Sequence, residues 1–412
     1  MKKNIGVWAF LLFTTALVTG CGGTKELPAA PAPAAPSVLD DWRLASLTTS
    51  VLRRGSDPVF SLYKDEKLTE TGFTEIRYRI SPEFNKNLMF LIPDFGDLAS
   101  SGVADYVAET FFRAGYDVIT LPSQYSAHFV REISKTGAVG IARRDAEDMY
   151  GVMKSTLARY NAMTKNRVVR PVAVGLGYGG LVLGHVSIFE RTAREIGIQK
   201  YLLLNPSIHP ETTALHILKM SEKVLEWRES RRTAFEKNLG TIYTEFTASD
   251  PFLPASMEKL GSLKLAKEES EFLLSSGLTS AFRPIFETIF ERIGAEPEGQ
   301  IKPKCIDKYG CPESGYRETH LIPYWTRIEP TYKDERALAK HTRLDTLCDS
   351  IGVNKRVFIL HSKDDFYVDP KADFSALQKC MGDRISIQEN GGHLGLLWKP
   401  EFQQLMIERV GI

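Results

Sequence analysis

The sequence predicts an α/β fold: a doubly wound, mostly parallel sheet with a helical insertion. Three observations predict it. Between residues 73 and 204, short apolar runs closed by Gly, Pro or Asn alternate with stretches of helical period. From about 209 to 345 the rhythm breaks and helical patterns stand alone. From 357 onward two further strand–helix units follow. A chain of 412 residues with 43% hydrophobic content can bury one large core and carry an insertion as well.

The elements follow in order. Phe73 to Ile80 alternates and reads as an early strand. Leu88 to Ile92 is a compact apolar run ending at Pro93-Asp94-Phe95-Gly96, the pattern of a buried strand. Val103, Val107 and Phe111 then fall at four-residue spacing on one helix face. Val118 to Leu121 is a strand, and Met149, Val152, Met153, Thr156 and Leu157 line a second helix. Val172 to Val174 opens a strand that runs into a glycine cluster, followed by a third helix. Tyr201 to Leu204 closes this series at Asn205-Pro206-Ser207. In the insertion, Leu215 to Trp227 and Phe282 to Ile293 read as helices, and aromatics cluster in Tyr316 to Tyr332. Val357 to Leu360 resumes the sheet. Asp369-Pro370 looks like a cap and first-turn proline for a helix with Phe374, Leu377 and Met381 inward. Ile385 to Gln388 is the last strand, and a terminal helix after Pro400 carries Phe402, Leu405 and Met406.

The N-terminus reads as a targeting segment. Lys2 and Lys3 precede an apolar run from Ile5 to Val18, too short to span a bilayer comfortably. Leu17 to Cys21 resembles a bacterial lipobox, which implies cleavage after residue 20 and a lipid on Cys21. Gly22 rather than Asp follows, which favours the outer membrane in lipoproteins of this kind. Residues 21–37 are rich in Pro and Ala, cannot build a core, and read as a semi-extended tether. The expected layout is a signal peptide (1–20), a tether (21–37), and a body of core (38–208), helical insertion (209–345) and core (346–412), held at the periplasmic face of a bacterial envelope. A net charge of +1 and a pI near 7.6 give no basic stripe and no reason to expect nucleic acid.

Four more cysteines remain: Cys305, Cys311, Cys348 and Cys380. Export makes disulfides plausible, and three pairings are possible. Cys305–Cys311 and Cys348–Cys380 are favoured, with buried free thiols the alternative for the second pair. The spacing suits no familiar zinc site, so no metal is expected.

The chemistry turns on Val172-Ala173-Val174-Gly175-Leu176-Gly177-Tyr178-Gly179-Gly180. Gly175, Gly177 and Gly180 spell a dinucleotide fingerprint, G-x-G-x-x-G. That site also needs a carboxylate at the end of the next strand, where Leu204-Asn205-Pro206 has none, and no cofactor is expected. The other reading is a nucleophile elbow, G-x-S-x-G, with Gly177 where the serine belongs. Asp365, in Asp-Asp-Phe-Tyr-Val, follows a late strand, and His393, in Gly-Gly-His-Leu-Gly, follows the last one. Pro93-Asp94-Phe95-Gly96 follows an early strand, where an oxyanion loop would lie.

On these motifs residues 70–412 resemble the α/β-hydrolase superfamily, with nucleophile, acid and histidine in that superfamily's order. The resemblance implies Asp365 as acid, His393 as general base, and Phe95 and Tyr178 as the oxyanion-hole residues. Two departures stand out. Gly177 has no side chain to attack an acyl group. Asp94 replaces the usual oxyanion-loop glycine, and an inward carboxylate would oppose developing negative charge.

The leading expectation is therefore a pseudo-hydrolase that binds a small acyl- or ester-like ligand or presents its lid to a partner protein. A working esterase using water activated by His393, or a displaced nucleophile such as Ser123 or Ser126, is the alternative. A dinucleotide site or a pure scaffold comes third. His361 and Asp364 read as structural, and Asp94-Phe95-Gly96 resembles the kinase tripeptide only by coincidence.

Overall fold

The computed structural model describes residues 37–53, 63–67, 75–81, 87–96, 99, 101–137, 139–165, 169–293, 335–368 and 373–411. Cys21, Cys305, Cys311, the Tyr316–Tyr332 aromatics and the Asp369-Pro370 cap lie outside them.

Eight strands form one sheet: β1 (Tyr63–Lys67), β2 (Glu75–Arg79), β3 (Asn87–Ile92), β4 (Tyr116–Thr120), β5 (Arg170–Leu176), β6 (Tyr201–Leu204), β7 (Val357–Ser362) and β8 (Ile385–Gln388). Their spatial order is β1-β2-β4-β3-β5-β6-β7-β8. β2 is antiparallel to both β1 and β4, and every other pair is parallel. This is the α/β-hydrolase arrangement.

The inner strands β3, β5, β6 and β7 are largely apolar because both faces are covered, whereas β1 and β2 at one edge alternate or carry charge. Leu88, Phe90 and Ile92 join one core with Ala173, Leu203 and Ile359, while Met89 and Leu91 join the other with Val172, Val174 and Leu202. The first core is covered by α4 (Ala142–Met163), through Met149 and Met153, and by α5 (Gly177–Ala193), through Leu181 and Val182. The second is covered by α2 (Gly102–Arg113), through Val107 and Phe111, and by the terminal helix (Pro400–Val410), through Phe402 and Met406. The period-2 alternation therefore separates two layers, and the sheet is doubly wound.

Three short helices escape the sequence reading: α1 (Trp42–Leu47), α3 (Ala127–Glu132) and the one over Cys348–Val353. Each is six residues long, too short to show a period. Between β6 and β7 lie α6 (Pro210–Glu222), α7 (Glu229–Ala248), α8 (Pro254–Glu258), α9 (Lys267–Ile293) and α10 (Glu335–Thr342). The helix expected over 215–227 instead starts at Pro210, where a first-turn proline costs no hydrogen bond, and gives way to a 3₁₀ turn at Lys223. α9 packs against α1, α3 and α6. α11 (Cys348–Val353) and α12 (Asp373–Met381) are joined by a Cys348–Cys380 disulfide. Among the described residues no helix is long and apolar enough to cross a membrane.

Candidate functional site

Strand register brings the two departures together. Ile92 of β3 lies beside Gly175 of β5, so two residues further on Asp94 faces Gly177. Gly177 turns from extended Leu176 into α5 with φ +48°, a region that side chains rarely adopt. A Cβ built there would fall inside 3.0 Å of the Asp94 carboxyl group. The Asp94 carboxylate therefore occupies the volume of the absent side chain.

It also makes a serine's contacts. Asp94 Oδ2 accepts from His393 Nε2 at 2.7 Å, and Tyr178 N–H donates to Asp94 Oδ1 at 2.7 Å. Behind the imidazole, His393 Nδ1 lies 3.0 and 3.1 Å from the two Asp365 oxygens. All three side chains are buried, at 5% (Asp94), 6% (His393) and 2% (Asp365) exposure. The structure thus brings Gly177, Asp365, His393 and Tyr178 to one point and, with Asp94, forms a line of carboxylate (Asp94), imidazole (His393) and carboxylate (Asp365).

The charges follow from this. Burial alone would lower the pKa of His393, but Asp365 and Asp94 outweigh it and push it up to about 10. Burial works to raise Asp365, and the charge and hydrogen bond of His393 overcome it, so its carboxyl is held below the ordinary range. The resting site is an imidazolium between two carboxylates.

Other groups fix the acid and the base. Asn205, at the end of β6 with φ +44°, donates to Asp365 Oδ2 at 2.8 Å and to Gly392 O at 3.2 Å, tying acid loop to histidine loop. Tyr367 N–H donates to Asp365 Oδ1 at 2.8 Å, and the Tyr367 ring stacks on His393 with centroids 3.6 Å apart. Ser46 of α1 accepts from His393 N–H at 2.8 Å. None of these three partners is visible as a motif. Asn205 left a trace, since a polar residue in left-handed backbone at a strand end is where Asn is favoured.

The remaining candidates take structural places. Tyr178 OH donates to Asp145 at 2.6 Å inside the core, away from the imidazole. Burial holds Asp145 up at about 7, against the hydrogen bonds from Tyr178 and Gly140. Ser126 caps α3, accepting from Phe129 N–H at 3.1 Å, and Ser123 Oγ is buried without a hydrogen-bond partner. Asp364 accepts from Gly391 and Gly392 N–H and braces the histidine loop. His361, its pKa lowered by burial, sits 3.2 Å from Pro206 O. The first free amide of α5, which a pyrophosphate would need, is taken by Asp94.

Asp94 and His393 open onto a cavity of about 270 Å³, walled by Ser46, Leu47, Thr49 and Ser50 from the N-terminal helical segment and by Leu273 and Leu274 from α9. Phe95, Gly96, Val103, Phe366 and Leu394 complete it. The insertion therefore contributes one wall of the pocket. Among the described residues no cluster of three His, Cys, Asp or Glu is placed to hold a metal ion.

No family model matches the chain. No curated protein matches it either. Among solved structures it is similar to a hydrolase from Pseudomonas aeruginosa (14% identity, 85% of this chain and 99% of that one, TM-score 0.40). It is also similar to an esterase from Pyrococcus furiosus (11%, 87% and 95%, 0.43). An α/β-hydrolase from Penicillium gives 12% identity over 84% of this chain and 97% of that one, at TM-score 0.43. The fold assignment rests on strand order and the two-faced core, not on these likenesses.

Proposed function

We propose that this is a membrane-tethered α/β-hydrolase-fold lipoprotein that has lost serine chemistry and kept its pocket to bind a small ligand. One observation carries the reading: the Asp94 carboxylate fills the place of the missing side chain and is bonded at both oxygens. A histidine activates a hydroxyl by removing its proton. Here the group at Nε2 is a carboxylate with no proton to give, and the imidazole is donating rather than free to accept from water. The amide that would stabilise an oxyanion is engaged as well. An ester-like ligand, expected from sequence, would need that same Tyr178 amide for its carbonyl.

A working hydrolase remains the second reading, because Asp94 is a potential nucleophile already in line with His393 and Asp365. The test is ester turnover by the full chain, with short and long acyl esters. Wild type and Gly177→Ser are expected to be silent, the latter because its side chain meets Asp94. Asp94→Gly with Gly177→Ser is expected to turn over ester, and adding His393→Ala to silence it again. Wild-type turnover that disappears in His393→Ala sinks the pseudo-hydrolase reading.

The tether is part of the same proposal. It is supported by Lys2, Lys3, the apolar run and Cys21 ahead of a Pro/Ala tract. We place the protein at the periplasmic face of the outer membrane. Cys21→Ala should move the protein from the membrane to the soluble fraction; retention on the membrane refutes lipid anchoring. A partner protein recognising the helical insertion is the other role open to a binder, and it would leave the pocket unused.

A further inference from the structure

The cavity's polar lining has a property that its residue names hide: its side-chain donors are spent. Ser46 Oγ–H goes to Trp42 O at 2.7 Å, Thr49 Oγ1–H to Ser46 O at 2.7 Å and Ser50 Oγ–H to Leu47 O at 2.6 Å. His393 Nε2 gives its proton to Asp94, and the neighbouring Tyr178 amide does the same. What the hydroxyl and carboxylate oxygens have left is lone pairs, since each accepts more bonds than it receives here. Among the described residues the cavity lining contains no lysine or arginine. Two carboxylates against one imidazolium leave the site one net negative charge. Leu47, Leu273, Leu274 and Leu394 supply an apolar body, and Phe95 and Phe366 add aromatic surface, which suits a cation.

We infer that the pocket takes a small aliphatic ammonium, a primary amine whose charged head donates to Asp94 and the hydroxyls of Ser46, Thr49 and Ser50 while its chain lies among the leucines. This rests on the reading that the pocket binds, rather than turns over, a small molecule. An acyl ligand finds no uncommitted side-chain donor among these residues. A carboxylate would meet Asp94 with like charge, and an alcohol would satisfy one acceptor without answering the charge.

The test compares three probes of one chain length, hexylamine, hexanol and hexanoate, by titration calorimetry on the full chain at neutral pH. Hexylamine should bind at least tenfold more tightly than either of the others. Asp94→Asn should weaken hexylamine at least tenfold and change hexanol less than threefold. If that variant fails to fold, Leu274→Trp, which fills the cavity without touching the charged groups, should abolish hexylamine binding. Tightest binding by hexanoate or its methyl ester overturns the ammonium assignment and leaves the binding role standing. Hexylamine affinity unchanged in these variants places the amine elsewhere and overturns it too. Failure of all the probes to bind overturns the assignment together with the binding role itself.

Discussion

The two halves of the site differ in an instructive way. The loops after β7 and β8 carry Asp365 and His393 as a hydrolase would, bonded through Nδ1. The loops after β3 and β5 are matched differently: the turn carries glycine, and the facing loop places a carboxylate in the space that a Cβ there would need. Two changes that each look disabling are complementary in volume, and complementary in charge to the imidazolium behind them. A site can therefore be closed to one chemistry while every buried polar group in it stays satisfied, which is what burial demands.

Substitutions at four positions and a pH profile would break or sharpen that comparison. The largest effect should come from His393→Ala, which leaves Asp94 and Asp365 buried without their shared cation. Losing one partner of such a pair costs about 4 kcal/mol, and denaturant unfolding should show it; a loss below about 1 kcal/mol would mean the carboxylates are not held by charge. Gly177→Ser comes next, at about 3 kcal/mol from crowding against Asp94 and the left-handed backbone. Asp94→Gly in the same chain should return most of that loss, and simple additivity of the two changes would refute the volume exchange.

The pH profile follows from the raised His393. Its contribution is fully present below the unfolded value of 6.5 and is lost as pH rises through about 10. Melting temperature should fall across that window in wild type, and the fall should be smaller in His393→Gln; parallel curves would contradict the ion triad. The smallest effect belongs to Ser46→Ala, which strips the His393 amide of its acceptor for about 1 kcal/mol. Stability there should drop without a change in the pH profile.

Much of this was legible beforehand. Strands β3 to β8 were readable because short apolar runs mark buried strands, and β2 because it alternates; β1, charged at four of its five positions, was missed. Asp365 and His393 were readable because each lies just after such a run. Asp94 and Gly177 were each visible as a departure. Their meeting was not, since it depends on β3 lying beside β5 with Ile92 opposite Gly175, a pairing between segments about eighty residues apart. Asn205 and Ser46 were missed for a similar reason: each acts on a loop far along the chain. The ligand's character was hidden because it depends on which hydroxyl protons are already committed.

The seating of α1 on the histidine loop also sets a timetable. Ser46 meets His393 across 347 residues, Thr48 meets Gly395 across the same separation, and Ser37 meets Glu258 across 221. An early segment thus waits for one more than three hundred residues later before this wall of the pocket exists. Contacts of such high sequence separation form late and slowly. Until the final fifty or so residues have been delivered, the imidazole has no place to stand and the carboxylate at Asp94 no cation to face. His393 and Leu394 are therefore among the last pieces of this pocket to be delivered, and a chain truncated ahead of residue 393 would carry all eight strands without them.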